Sequence, residues 1–285
     1  MNCPYCSADG RVIREFQRRN EETLFLWGCP SCECEFLAPQ PSDSWLAKEY
    51  SGYFNMRHGR IPPTKSRLCQ MILSKLAPLK DDARILDIGG GEGFFVKEVL
   101  KTTKNVHITL VEPQADDSAL PPDRVVVHRK LIEEWLQSTP PEQYDAIVAM
   151  DLIEHLRTPL EVMSELVTTR LKPGGSLILT TPDASSYFRK IMRSVWPHYK
   201  VEHLTYPSPD ALKRFAESAG LEVCECSSLA KPLQVGYLIA VLKKFGPTLI
   251  RKFGVFIDAI CPTLIRSWHV KIPSGEILFL AGKKN

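Results

Sequence analysis

No stretch of this chain reaches the roughly 18 consecutive apolar residues that a membrane-spanning helix requires. Its opening residues, Met1-Asn2-Cys3-Pro4-Tyr5-Cys6, lack the basic and apolar segments of a secretory leader, so the expected address is cytoplasmic. Internal repeats and low-complexity tracts are missing too, which argues against solenoid and fibrous architectures. Nor is charge of one sign in excess. The 36 Lys and Arg residues face 33 Asp and Glu, and a formal net charge of +3 is too small to mark a nucleic-acid-binding surface by itself. What is present is an ordinary globular composition, 44% hydrophobic and 24% charged over 285 residues. That is enough for one substantial core and one small appendage.

Cysteine breaks this evenness. Four of the nine form two Cys-x-x-Cys pairs, Cys3/Cys6 and Cys29/Cys32, and Cys34 follows closely. In a reducing compartment such pairs point to metal rather than disulfides. Each turn brings two thiolates onto one ion, and two turns complete the tetrahedral set that Zn2+ prefers. Four closed ligands leave no open position for catalysis. The expected ion is therefore structural, helping to fold a module too small to hold itself together. Cys34 is a spare able to take the place of Cys32. Cys69, Cys224, Cys226 and Cys261 lie among apolar neighbours and read as buried small hydrophobes.

The zinc module is expected over residues 1–41, ending at Pro39-Gln40-Pro41. Residues 42–80 read as a linker bearing Trp45, Tyr50, Tyr53 and Phe54, then a helix over 64–79 with apolar residues at Leu68, Met71, Ile72, Leu76 and Leu79. From 81 to 285 strand and helix patterns alternate. Strands are expected at 84–88, 107–112, 124–128, 144–150, 176–181 and 221–227, and helices at about 92–101, 131–138, 159–170 and 208–219. Ile108-Thr109-Leu110-Val111 and Ala146-Ile147-Val148-Ala149 are near-continuously apolar, as parallel strands covered on both faces are. The pattern is α/β, a doubly wound sheet. Residues 276–282 would add a last strand at the sheet edge. An apolar insertion at about 230–275 carries Lys243, Lys244, Arg251, Lys252 and Arg266, and Gly246-Pro247 and Cys261-Pro262 break it into short helices.

Asp87-Ile88-Gly89-Gly90-Gly91-Glu92-Gly93 ends one expected strand and opens a helix. So tight a turn calls for residues that tolerate positive φ, and missing Cβ atoms let a ligand approach the backbone. Phe94 stands where a dinucleotide fingerprint starting at Gly89 wants its last glycine, which counts against NAD. Glu112 ends the next strand, where a carboxylate can accept hydrogen bonds from both hydroxyls of a ribose.

Over residues 65–285 the sequence resembles the class I S-adenosylmethionine-dependent methyltransferases. The Asp-x-Gly-x-Gly-x-Gly loop matches their cofactor signature. Residues 144–148 and the following Asp151-Leu152-Ile153-Glu154-His155-Leu156 resemble their fourth strand and turn, and Leu171-Lys172-Pro173-Gly174-Gly175-Ser176 is similar to the turn before their fifth. The resemblance implies a Rossmann-like sheet and an S-adenosylmethionine site formed by Asp87, Gly89, Gly90, Gly91, Gly93, Glu112, Met150 and Asp151. Gly89, Gly91 and Gly93 would line the methionine half, and Glu112 would hold the ribose. Where the family often has an acid near the adenine, this chain reads His128-Arg129-Lys130-Leu131.

Methyl transfer from a sulfonium is an in-line displacement in which positioning supplies much of the rate. An oxygen or carbon acceptor usually also needs a base. Two histidine clusters compete for that role. Asp151, Glu154 and His155 share one face if helical, at the carboxyl edge of the sheet. Tyr199-Lys200-Val201-Glu202-His203-Leu204 resembles the Glu-His-Leu element of zinc-ribbon methyltransferases acting on sugars and other small molecules. The expected catalytic set is His203 as base, Glu202 orienting it, and His155 as a second active-site residue. A competing reading joins the clusters, with Asp151, Glu154, His155 and His203 as ligands for Mg2+ or Mn2+. That set resembles the Glu-x-x-Glu-His motif of small-RNA 2′-O-methyltransferases and some quinone O-methyltransferases, where a metal lowers a hydroxyl pKa.

Three function classes follow. The first is an enzyme methylating a small-molecule or glycan acceptor (a sugar, a lipid-linked or a quinone-like molecule), at oxygen. The second is an RNA methyltransferase whose zinc module grips RNA, and the third an inactive cofactor-binding module. Arg11, Arg14, Arg18 and Arg19 are interleaved with Asp9, Glu15, Glu21, Glu22, Glu33 and Glu35, a poor phosphate-binding surface, so nucleic acid is disfavoured. The intact glycine loop disfavours the third class. Residues 232–268 either cap the sheet and wall the acceptor site or make a peripheral membrane contact, because basic residues punctuate their apolar runs. The sequence leaves the acceptor, the methylated atom and the oligomeric state open.

Overall fold

The computed structural model describes residues 1–19, 22–54, 63–76, 79–116, 118–244 and 248–284. Gly246-Pro247, expected to break the insertion, and residues 55–62 of the expected linker lie outside the described residues.

The chain opens with three strands, β1 (Arg11–Arg19), β2 (Glu22–Gly28) and β3 (Glu35–Ala38), paired antiparallel in that order. On β2, Leu24 and Leu26 alternate inward, the period of a half-buried strand. Helix α1 (Asp43–Phe54) buries Trp45 and Leu46 in one cluster with Trp196, Leu204 and Tyr206. Helix α2 (Pro63–Leu76) follows and buries Leu68, Ile72 and Leu76 of the expected stripe together with Cys69, while Met71 is half-buried and Leu79 lies beyond the helix.

The main body then alternates β4 (Ala83–Ile88), α3 (Phe94–Thr102), β5 (Val106–Val111), β6 (Val125–His128), α4 (Ile132–Ser138), β7 (Tyr144–Met150), α5 (Pro159–Arg170) and β8 (Leu171–Pro182). After α6 (Tyr187–Met192), a two-residue strand β9 (Thr205–Tyr206), α7 (Pro209–Ser218) and β10 (Leu221–Gln234) come three helices, α8 (Val235–Lys244), α9 (Thr248–Ile260) and α10 (Thr263–Arg266), and the last strand β11 (His269–Lys283).

The main sheet has the order β10-β11-β8-β7-β4-β5-β6. Strands β6, β5, β4, β7 and β8 run parallel, and β11 is antiparallel to both of its neighbours. The order reverses between β4 and β7, and ligands of open α/β sheets bind beyond the carboxyl ends of the strands at such a point. The doubly wound expectation therefore holds, with one correction. β11 is not the edge strand but lies between β8 and β10. Ile277, Leu278, Phe279 and Ala281 are all buried, a demand only an interior position makes. The edge falls to β10, where Glu222, Cys224, Ser227 and Ser228 are exposed and suit open solvent. Cys224, expected to be buried, is exposed for the same reason; Cys69 is buried, and Cys226 and Cys261 are half-buried.

The N-terminal sheet is completed from an unexpected source. Its fourth strand is β9, which pairs antiparallel with β3, Glu35 opposite Tyr206 and Phe36 opposite Thr205. The first forty residues and the segment just after His203 thus share one sheet.

Candidate active site

The carboxyl edge at the switch point gathers most of the expected residues. β4 delivers Asp87 and passes into a loop in which Gly89, Gly91 and Gly93 all have positive φ, near +60° to +70°. At Gly90 the constraint is space: a Cβ would lie 2.5 Å from Asp87 Oδ2 and from Leu110 Cδ1. Asp87 is fully buried, and among the described residues neither of its carboxylate oxygens has a hydrogen-bond partner. Burial, with a smaller contribution from Glu112 and opposed by Lys65, pushes it up to about 7. A buried acid with open acceptors beneath a glycine cradle suits a ligand that brings hydrogen-bond donors or positive charge.

Glu112, just beyond β5, is fastened toward the same loop. Its carboxylate accepts from the Gly91 N–H and the Gln114 N–H, each at 3.2 Å. Met150 is buried at the end of β7. Asp151 follows with φ +53°, an uncommon torsion for a residue other than glycine. Its N–H donates to Thr180 O at 2.9 Å, its Oδ1 accepts from Thr180 Oγ1 at 2.8 Å, and Lys65 Nζ stands 3.6 Å from Oδ2.

The two histidine clusters meet. The rings of His155 and His203 are edge to face with centroids 4.7 Å apart. Glu154, His155 and His203 each offer a donor atom within 4.8 Å of the others. His155 Nδ1 lies 2.8 Å from the main-chain oxygen of Glu202. Because a carbonyl only accepts, that nitrogen carries the proton, and a neutral His155 keeps its lone pair on Nε2. His203 is buried, and its Nδ1 lacks a hydrogen-bond partner among the described residues. Burial and then the neighbouring His155 hold its pKa well below the usual histidine range, so the ring is neutral near pH 7. Glu154 is buried as well and accepts from Thr181 Oγ1 at 3.0 Å. Desolvation, then Asp151, raises its pKa well above the ordinary value.

Two expected roles look different in three dimensions. The Glu202 carboxylate points toward Lys200, 3.9 Å away, so Glu202 meets the histidines through its backbone rather than by orienting His203. Asp151 is not among the three clustered donors, because Thr180 and Lys65 engage its carboxylate. Tyr50 was not anticipated. Its hydroxyl lies 3.3 Å from His155 Nδ1, 105 positions away in sequence, and nothing local in the chain announces that contact. Thr180 and Thr181 did carry a signal, as two hydroxyls closing an apolar strand at its carboxyl end.

A family model described as a methyltransferase domain matches residues 56–225. The chain belongs to this methyltransferase family. It is similar to the ubiquinone biosynthesis O-methyltransferase of Aeromonas salmonicida (strain A449), 24% identical over 184 residues, covering 56% of this chain and 76% of the relative. The protein of the same description from Ralstonia nicotianae is 26% identical over 197 residues, covering 61% and 82%. Among solved structures, an S-adenosylmethionine-dependent methyltransferase from Archaeoglobus fulgidus shares the fold with a TM-score of 0.50 at 18% identity, covering 85% of this chain and all of that one (100%). The enzyme is thus an S-adenosylmethionine-dependent methyltransferase, and the chemistry of the glycine cradle with the open acceptors of Asp87 suits a cofactor that carries hydrogen-bond donors and positive charge.

This methyltransferase carries its cysteine cluster against residues 204–208, just after His203. The sulfurs of Cys3, Cys6, Cys29 and Cys32 all lie within 4.8 Å of one another. Cys6 and Cys29 are 3.4 Å apart, Cys3 and Cys32 3.5 Å, and Cys34 comes within 3.2 Å of Cys3. Hydrogen bonds from Cys32 and Cys34 hold the Cys3 thiol low and push both of theirs up. Such crowded sulfurs can ionise together only around a cation, and ligands at about 2.3 Å from one Zn2+ sit at comparable spacing.

The junction with the methyltransferase body is polar and buried. Tyr5 Oη bonds Thr205 Oγ1 at 3.1 Å, the Leu37 N–H donates to Leu204 O at 2.9 Å, and Ser208 Oγ donates to Cys32 O. Tyr199, part of the expected acceptor element, donates instead to Glu35, which also pairs with Arg189.

Proposed function

We propose that this enzyme transfers the methyl group of S-adenosylmethionine to a hydroxyl of a small-molecule or glycan acceptor, with His203 as the base. When bound, the cofactor supplies an electrophilic sulfonium methyl. The observation that carries the reading is the buried, neutral His203, whose Nδ1 is unclaimed among the described residues, next to His155 at the carboxyl edge of the sheet. A neutral imidazole with an open nitrogen can take a hydroxyl proton as the oxygen attacks. His155, pinned by the Glu202 carbonyl and contacted by Tyr50, keeps its neighbour's ring in place. The curated relatives named for ubiquinone biosynthesis support an oxygen acceptor of the phenolic or quinone-like kind.

Zn2+ held by Cys3, Cys6, Cys29 and Cys32 would be structural, fixing the sheet that β9 completes. A second reading has one specific support. Glu154, His155 and His203 are a three-donor set of the right chemistry for a divalent cation. In that case Mg2+ or Mn2+ would stimulate transfer and a chelator selective for hard cations would abolish it.

The deciding assay offers labelled cofactor to quinols, sugar nucleotides and RNA. Label is expected in a quinol or sugar, and label in RNA alone would overturn the reading. His203→Ala is expected to lower kcat by roughly 10²- to 10⁴-fold with cofactor affinity unchanged, and near-normal turnover would remove His203 from the chemistry.

A further inference from the structure

We propose that the helical arm formed by α8, α9 and α10 is a docking surface for an anionic lipid membrane. β10 and β11 run on beyond the body of the sheet as a two-stranded stem, Ala230 opposite Pro273 through Gln234 opposite His269. Glu276 of β11 already pairs with Pro182, the last residue of β8, so residues 269–275 lie past the carboxyl edge that holds the active site. The three helices sit on this stem.

Helix α9 carries two apolar stripes. Ile250, Gly254 and Ile257 face inward, and Gly254 lets the helices approach so closely that a Cβ there would lie 2.9 Å from Lys243 N on α8. The second stripe is Leu249, Phe253, Phe256 and Ile260, spaced to share one face and between 55% and 80% exposed. Leu264 and Trp268 extend the exposed apolar surface past α9. A cluster of this kind on a soluble enzyme marks an interaction surface.

Charge identifies the partner. Residues 235–268 hold five Lys or Arg residues and a single acid, Asp258. That acid is already taken by Lys243 and Arg266. Lys252 is exposed on the flank of the apolar stripe, and Arg251 is exposed further round the same helix. A second copy of the chain would bring the same excess of basic over acidic residues to the contact. An anionic bilayer offers negative headgroups above an apolar interior, the complement of this face, and Trp268 and Tyr237 are side chains suited to that boundary. No helix among the described residues is long and apolar enough to cross a membrane, so the contact is peripheral.

Sedimentation of the full zinc- and cofactor-loaded chain with vesicles tests this. The chain is expected to pellet with phosphatidylcholine vesicles containing about 30% phosphatidylglycerol and at least tenfold less with phosphatidylcholine alone. Each surface cation is worth roughly fivefold in partitioning, so Arg251→Glu with Lys252→Glu should weaken binding by at least about 25-fold. Phe253→Ser with Phe256→Ser should abolish it through the apolar contribution. These side chains are exposed and outside the cofactor site, so calorimetric cofactor affinity serves as the folding control and should not change. A wild-type chain that stays in the supernatant, or variants that bind as it does, would overturn the proposal. So would a dimer in analytical ultracentrifugation that Phe253→Ser/Phe256→Ser dissolves, since it would give the face to a second copy.

Discussion

Two additions flank the same mixed sheet, and they are attached in opposite ways. The N-terminal cysteine module turns its polar groups inward. Tyr5, Leu37 and the Cys32 carbonyl all bond residues 204–208, and its cysteines pack in one core cluster with the body's apolar residues. The C-terminal arm meets the body through a two-stranded stem and turns apolar side chains outward. An element that shapes a site must be held by contacts the site cannot lose. One that meets an external partner keeps its binding face uncommitted until the partner arrives.

The largest expected effect breaks the module. Cys29→Ser should abolish zinc in elemental analysis and lower transfer by more than about 100-fold, because metal-binding energy is folding energy in so small a unit. Cys34→Ser should keep zinc, and its loss there would place Cys34 among the ligands.

The next probe starts in the sheet, between the two additions. Asp87 is raised from the unfolded carboxylate range to about 7. Between those values the folded state retains a proton that the unfolded chain has released. Stability of the cofactor-free enzyme should therefore fall as pH rises from about 4 to about 7 and level off above that, by about 4 kcal/mol. Asp87→Asn should flatten this slope in urea titrations. If the module is part of the body, metal release on heating will follow the same pH dependence.

A smaller effect sharpens the junction. Ser208→Ala leaves the Cys32 carbonyl without its hydroxyl donor and removes the side-chain cap of α7, at a cost of roughly 1–2 kcal/mol, and calorimetric unfolding should show one transition shifted downward. Smallest of all, Leu249→Ser on the arm should change stability by less than about 0.5 kcal/mol. A larger loss would mean that Leu249 is packed, and that the arm resembles the module after all.

How much was legible in the sequence follows from where each constraint originates. The glycine cradle, Glu112 and the apolar strands β4, β5 and β7 were readable because torsion and burial are written in consecutive residues. The Cys-x-x-Cys pairs were readable for the same reason. The interior place of β11 was harder, since one apolar strand does not reveal how many neighbours it has. Tyr50 against His155, β9 beside β3, and the turning of Glu202 toward Lys200 all depend on partners brought together by the fold, and no local pattern encodes them. Even the helical face assumed for Asp151, Glu154 and His155 gave way to a short 3-10 turn, Ile153–His155, after an unusual torsion at Asp151.

The pairing of β9 with β3 also sets an order of events during synthesis. Residues 1–38 of the cysteine module leave the ribosome well before its last strand, residues 205–206. At about 5–20 residues per second that strand follows some 8–33 s later. Through that interval β3 has an open edge and the thiols wait without the body that will cover them. Metal capture can thus come before assembly, and the loaded module can serve as the template on which the segment after His203 closes.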